Sequence, residues 1–169
     1  MHAFLSPADY HRQHAPVNGT VLEARVIPGQ VYLEVDPKVS DDGTVSLVPS
    51  RKFHNNGKRG KVARSPDEVV TFDAPDTAGY QFCQTRGLVV LDTPIGLVAV
   101  LPIGMAQVSS VILTAEVGKV LRKGEEISYF QFGGSDIVVL FEAKSNVSIT
   151  AQLQTHYKVG NRIAQAFPE

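Results

Sequence analysis

The stretch of this chain best suited to chemistry is Phe130-Gln131-Phe132-Gly133-Gly134-Ser135-Asp136, which runs directly into Ile137-Val138-Val139-Leu140-Phe141. Two glycines and a serine interrupt an aromatic and β-branched pattern. Paired glycines inside a strand mark a bulge or a close backbone approach, and a plain bulge or turn is one reading of this segment. The other reading is chemical. Ser135 follows the unhindered carbonyl of Gly134 at a place where the backbone can take unusual angles, which suits an acyl shift across the Gly134–Ser135 bond.

A second group of reactive residues lies near the start, in Ser6-Pro7-Ala8-Asp9-Tyr10-His11-Arg12-Gln13-His14-Ala15-Pro16. Ser6 with Asp9 three residues later, and Pro7 just inside, is a helix-start signal, and Pro16 ends the turn. The spacing predicts a short N-terminal helix with His11 and His14 on one face. Such a pair serves as two surface histidines, as an acid–base pair or as two metal ligands. No third cysteine, histidine or carboxylate stands at ligand spacing nearby, so no metal site is expected.

The elements that must carry these residues are mostly strands. After the Asn18-Gly19 turn, Leu22, Ala24 and Val26 alternate with Glu23 and Arg25, the pattern of a half-buried strand, and Val31 to Val35 predicts another. Residues 36–79 are polar and rich in turn residues, and read as a long loop insertion with a short strand through Val45 to Val48. Within it, Arg51, Lys52, Lys58, Arg59, Lys61 and Arg64 form a basic run, read as a solvated loop or as a contact for an anionic substrate or membrane surface. Leu88 to Leu91 and Leu97 to Leu101 predict a hairpin turning at Thr93-Pro94-Ile95-Gly96. Val111 to Val117 alternates apolar and polar residues. Gly118 and Gly124 flank a strand–turn–strand segment. Ile137 to Phe141 is apolar on both faces and so belongs in the middle of a sheet. Many short strands with Gly and Pro turns, and little helix, predict a mainly β barrel or sandwich.

With 169 residues, 43% of them hydrophobic and 20% charged, the chain is expected to fold as one compact domain. A net charge of −1 offers no field that would select nucleic acid. The single cysteine, Cys83, excludes an internal disulfide framework and a cysteine-rich zinc site. It is expected to be a small core residue in a reducing setting. Met1 to Tyr10 shows no signal-peptide pattern, and Asp92, Pro94, Gly96 and Pro102 break the apolar Leu88 to Gly104 segment too often for a membrane span.

Three separated segments together resemble the pyruvoyl-dependent phosphatidylserine decarboxylases and their soluble relatives. They are Phe4 to Gly19, with Tyr10-His11-Arg12-Gln13-His14; Ile95-Gly96-Leu97-Val98 through Val108-Ser109-Ser110; and Val120 to Ile127 with Tyr129 to Ser135. The resemblance covers most of the chain outside residues 36–79 and identifies residues 1–169 as one decarboxylase-like catalytic domain. It implies a barrel-sandwich-hybrid-like β fold, related to biotinyl and lipoyl domains. It also implies a proenzyme that cuts itself between Gly134 and Ser135. Ser135 would become a covalent pyruvoyl group heading residues 135–169, and that ketone would take the substrate amine and accept the electrons released with carbon dioxide. His14 matches the family's base on the serine, and His11 the neighbouring histidine assigned to decarboxylation. The implied substrate is phosphatidylserine or a free amino acid, a small molecule or phospholipid carrying a primary amine and a carboxylate. A cytoplasmic or peripheral-membrane location and a homo-oligomer are compatible with this.

This sequence departs from the family in three ways. Asp136 follows the serine where the family usually has Thr or Ser. The family's upstream aspartate, which completes an Asp-His-Ser arrangement, has no counterpart here, so the chain reads as part of a longer protein, as a minimal homologue using another acid, or as one that no longer matures. The insertion at 36–79 resembles soluble members acting on free aromatic amino acids. The competing expectation is a non-catalytic β-domain that keeps Ser135 uncleaved and binds a partner or small molecule. A biotinyl- or lipoyl-type carrier is disfavoured, since Phe130 to Phe141 holds no modifiable lysine.

Overall fold

A computed structural model of the chain describes residues 1–5, 9–29, 34–43, 45–50, 52–55, 70–73, 84–104, 110–131, 135–153 and 155–168, with the backbone alone at 34–38, 45–50, 52–55, 70–73 and 135. Along the chain the strands are β1 (His2–Leu5), β2 (Arg12–His14), β3 (Gly19–Ile27), β4 (Glu34–Val39), β5 (Val45–Ser50), β6 (Lys52–Asn55), β7 (Val70–Asp73), β8 (Arg86–Thr93), β9 (Gly96–Gly104), β10 (Val111–Leu113), β11 (Val120–Leu121), β12 (Glu126–Phe130), β13 (Ser135–Phe141), β14 (Val147–Ile149) and β15 (Ala164–Ala166). A 3-10 turn occupies Ala143–Ser145. The fold is mainly β, as the density of short strand patterns predicts.

A curled six-stranded antiparallel sheet runs in the order β1-β13-β9-β8-β3-β11, and a three-stranded sheet in the order β10-β12-β2. The largest apolar cluster takes residues from both. Val21, Val89, Leu91, Val98, Val100, Leu121 and Val139 come from the larger sheet, and Ile127, Ala15 and Ala115 from the smaller one and its flanks. Each large aliphatic side chain fully buried there contributes roughly 1.5–3 kcal/mol. A smaller cluster of Leu101, Ile103 and Val138 forms on the other face of the large sheet. β13 therefore has apolar neighbours on both faces, which is why its sequence carries no polar alternation between Ile137 and Phe141.

The predicted β8–β9 hairpin is present, with Thr93 paired to Gly96 across a two-residue turn. Gly96 has φ +105°, and a Cβ there would press on Lys144 and Glu142. The Thr93 hydroxyl donates to the Gly96 carbonyl at 2.6 Å and closes the turn. β3 also forms where predicted, but its inward set differs. The register slips between Val21 and Glu23, so Leu22 is an extra residue that faces solvent at 50% exposure while Val21 is 1% exposed. A bulge of this kind reverses the alternation beyond it, and a bare period-2 count does not see it.

The short N-terminal helix is not found. Residues 12–14 form β2, which pairs antiparallel with β12. The helix signal at Ser6 to Asp9 offers at most one or two turns, too few to repay nucleation, whereas β12 provides a ready partner strand. Residues 6–8 lie outside the described residues. So do Val31 to Leu33, Cys83 and Gly133-Gly134, along with the side chains of the basic run at 51–64. The predicted strand near Val45 is β5. Further strands run through the 36–79 segment, where β4 pairs with β5 and β6 with β7.

Candidate functional site

β2 and the residue before it carry both histidines. Gln13 anchors the strand. It is 2% exposed, and the buried Ser128 hydroxyl donates to its Oε1 at 2.6 Å. Gln13 pairs with Ser128, and His14 with Glu126, across a bulge at Ile127. Arg12 lies beside Tyr129, with its guanidinium 5.2 Å from the ring centroid, and hydrogen-bonds Glu126. That hydrogen bond and the Glu126 charge raise the Arg12 pKa above its ordinary value.

His14 has both ring nitrogens engaged. Nδ1 lies 2.9 Å from the Gly124 carbonyl oxygen, and Nε2 lies 2.8 Å from the Tyr10 hydroxyl. A carbonyl only accepts, so Nδ1 carries the hydrogen, and in the neutral ring Nε2 holds the lone pair. Tyr10 also stacks on the imidazole, with centroids 5.6 Å apart and planes 9° from parallel.

The Gly124 carbonyl is itself held firmly. Gly124 N–H donates to the Ala15 carbonyl at 2.9 Å, and Ala15 N–H to the Glu125 carbonyl at 2.8 Å. Lys123 N–H donates to Asn18 Oδ1 at 2.7 Å. Gly124 sits at φ +89°, a conformation that disfavours any residue with a Cβ. The turn that fixes the tautomer of His14 is thus built by the Asn18-Gly19 region and the strand–turn–strand segment, both visible in the sequence as turn signals.

His11 sits differently. Its ring meets Phe130 edge-on, with centroids 6.2 Å apart and planes at 87°. Its carbonyl accepts from Phe130 N–H at 3.1 Å, which fixes this residue to the end of β12. His11 Nε2 is shielded from solvent and has no hydrogen-bond partner among the described residues. The expectation that the two histidines share one helical face is therefore corrected. In extended chain, residues three apart point to opposite sides, and these two make separate contacts, one with Phe130 and one with Tyr10 and Gly124.

Ser135 opens β13. Its backbone is paired with Leu5 of β1 on one side and Gly104 of β9 on the other. The side chain of Ser135, and Gly134 entirely, lie outside the described residues. The Phe130 amide that holds His11 is five residues before Ser135, at most about 18 Å of extended chain. Asp136, the departure from the family pattern, is fully buried with its Oδ2 3.0 Å from His2 Nε2. Among the described residues no cluster of three or more His, Cys, Asp or Glu could hold a metal ion.

The sequence reading missed Tyr10, Gly124 and His2. Tyr10 stands four residues before His14 and was named only as part of the motif, with no role assigned. Gly124 acts through a backbone atom. His2 is distant in sequence from Asp136, and only the register of β1 brings the two together.

Comparison with known proteins bears on the same residues. Residues 1–165 match the family model for phosphatidylserine decarboxylase. The chain belongs to the phosphatidylserine decarboxylase family. Its relatives include the decarboxylase iboD of Amanita muscaria, 29% identical over 96% of this chain and 43% of that protein. Phosphatidylserine decarboxylase proenzyme 3 of Schizosaccharomyces pombe is 28% identical over 95% of this chain and 14% of that protein. An L-tryptophan decarboxylase of Psilocybe cubensis is 25% identical over 82% of this chain and 28% of that protein. The chain therefore spans less than half the length of these relatives. The family match covers the histidine segment and the Gly134–Ser135 segment together.

Proposed function

We propose that this chain is the catalytic portion of a pyruvoyl-dependent decarboxylase, made as a proenzyme that cuts itself between Gly134 and Ser135. The observation that carries this reading is the fixed tautomer of His14, whose Nδ1–H is given to the Gly124 carbonyl and whose Nε2 is left as proton acceptor. A general base on a serine needs just this state. In the enzyme triads the orienting group on the far nitrogen is a carboxylate. Here a clamped backbone carbonyl takes that place. Membership of a family whose members bear the name proenzyme supports the self-cleavage.

In this mechanism His14 Nε2 exchanges the Tyr10 hydroxyl for that of Ser135 and accepts its proton. Ser135 Oγ adds to the Gly134 carbonyl carbon, the Gly134–Ser135 C–N bond breaks, and the nitrogen of residue 135 takes up a proton, leaving an ester. Loss of the residue 135 Cα proton expels the Gly134 carboxylate. Hydrolysis by water then releases ammonia and leaves the keto group on residue 135. That group supplies an electron sink for a substrate amine losing carbon dioxide.

His11 serves the second reaction. Its Nε2, shielded and without a partner among the described residues, is available to hold a proton for the substrate carbon that has lost its carboxylate. Phe130 keeps the ring in place through its edge contact. The substrate carries a primary amine and a carboxylate on one carbon, as phosphatidylserine and free amino acids both do, and the relatives' names cover both classes. The enzyme works on it in the cytoplasm or at a membrane surface.

The test is a denaturing gel of freshly made protein beside its Ser135→Ala variant, followed by carbon dioxide release from phosphatidylserine and from amino acids. Two unequal fragments, lost in Ser135→Ala, with release from either substrate class, are expected. An intact chain with no release overturns the reading in favour of a non-catalytic β-domain.

A further inference from the structure

Asp136 is a carboxylate with no solvent exposure, one residue beyond the proposed cut, and His2 Nε2 lies 3.0 Å from its Oδ2. The register explains the meeting. Phe4 pairs with Asp136 and His2 with Val138, so His2 lies diagonally across from Asp136 on the same face of the β1–β13 ladder. On the far side Asp136 is opposite Ile103, which is 0% exposed. Ile103 pairs in turn with Arg86 of β8, so the row across the sheet mixes apolar and charged residues. A buried carboxylate is costly unless partnered, and it only accepts, so His2 donates from Nε2. β1 is additionally held by Val139 N–H, which donates to the Met1 carbonyl at 2.9 Å.

Once the bond before residue 135 is broken, His2 and Asp136 belong to different pieces. β13 becomes the first strand of the shorter piece, with its new end between β1 and β9. The contact then ties the two pieces together one residue from the cut. We propose that His2 is a positioning residue for maturation: through Asp136 it fixes residue 135 at the head of β13, so that the Gly134–Ser135 bond is presented to its base and the new end stays in the sheet afterwards. This rests on the self-cleavage reading above. It also gives a role to Asp136, which replaces the Thr or Ser usual at this position in the family: the carboxylate needs a partner that a hydroxyl does not.

The experiment follows the disappearance of the intact chain after a pulse of synthesis, with a melting curve for each variant. His2→Ala is expected to slow cutting by about tenfold or more, as small misplacements of reacting groups do. His2→Gln, whose side-chain amide also donates, should recover most of the rate. In an Asp136→Thr background, replacing His2 by Ala should have no further effect. A His2→Ala chain that cuts at the wild-type rate overturns the proposal alone. So does a slowing that matches the fall in folded fraction, that Gln does not relieve and that persists in the Asp136→Thr background. A wild-type chain that never cuts overturns both this proposal and the proposed function.

Discussion

His14 in this structure has its proton position already settled, because the Gly124 carbonyl claims Nδ1–H; in the proposed function that leaves Nε2 as the base. The competing occupant of Nε2 is the Tyr10 hydroxyl, which must leave before a serine can be deprotonated. Tyr10→Phe keeps the stacked ring and removes the competitor, so its maturation should run at least as fast as the wild type in a pulse of synthesis. A tenfold slowing would instead make the hydroxyl a relay. His14→Ala should leave the chain uncut on a gel. His11→Ala should cut normally and lose turnover, measured as carbon dioxide released per mole of mature enzyme, because His11 contacts Phe130 and not the His14 network. The residue types and their order singled out Ser135, His11 and His14 as candidates in the sequence. Their surroundings were not, since the decisive partner of His14 is a main-chain oxygen 110 positions away, which no side-chain pattern announces.

Among elements, the turn through Gly124 has the most to do with the site. Its positive φ makes Gly124→Ala cost about 1–2 kcal/mol, and the strain would move the carbonyl that orients His14. The expected result is a modestly lower melting temperature together with clearly slower cutting; slower cutting without any thermal change would place the effect elsewhere. The β9–β13 end is braced by Glu142, whose Oε2 accepts from Leu97 N–H at 2.8 Å and from Lys144 at 3.0 Å. Leu97 first, and Lys144 second, hold its pKa below the ordinary 4.5. A carboxylate depressed on folding stabilises above its unfolded value and loses that contribution as pH falls through the folded one. Glu142→Gln should therefore melt slightly lower at neutral pH, with the gap closing as pH drops below 4.5, as thermal melts across pH would show. The helix expected around His11 and His14 failed at this scale. Its start signals were local, while the edge of β12, which claimed the segment as strand, lies more than 100 residues away.

For the molecule as a whole, the core joins the sheet that contains β2 and β12 to the larger sheet that contains β13. Leu91 is fully buried within that core, so Leu91→Ala should cost roughly 2–5 kcal/mol in denaturant unfolding and loosen both sheets together. The β class, the β8–β9 hairpin and the central place of β13 were all readable from alternation, turn residues and two-sided apolarity. The bulge that turns Leu22 outward was not, because inserting one residue leaves composition and period almost unchanged. In the proposed function this fold serves to break one of its own bonds. The most direct test is the intact mass of freshly purified protein. Two species are expected, residues 1–134 and residues 135–169, the second lighter than its unmodified sequence by one ammonia. A single species with the mass of the whole chain, or a short fragment still beginning with serine, would contradict it.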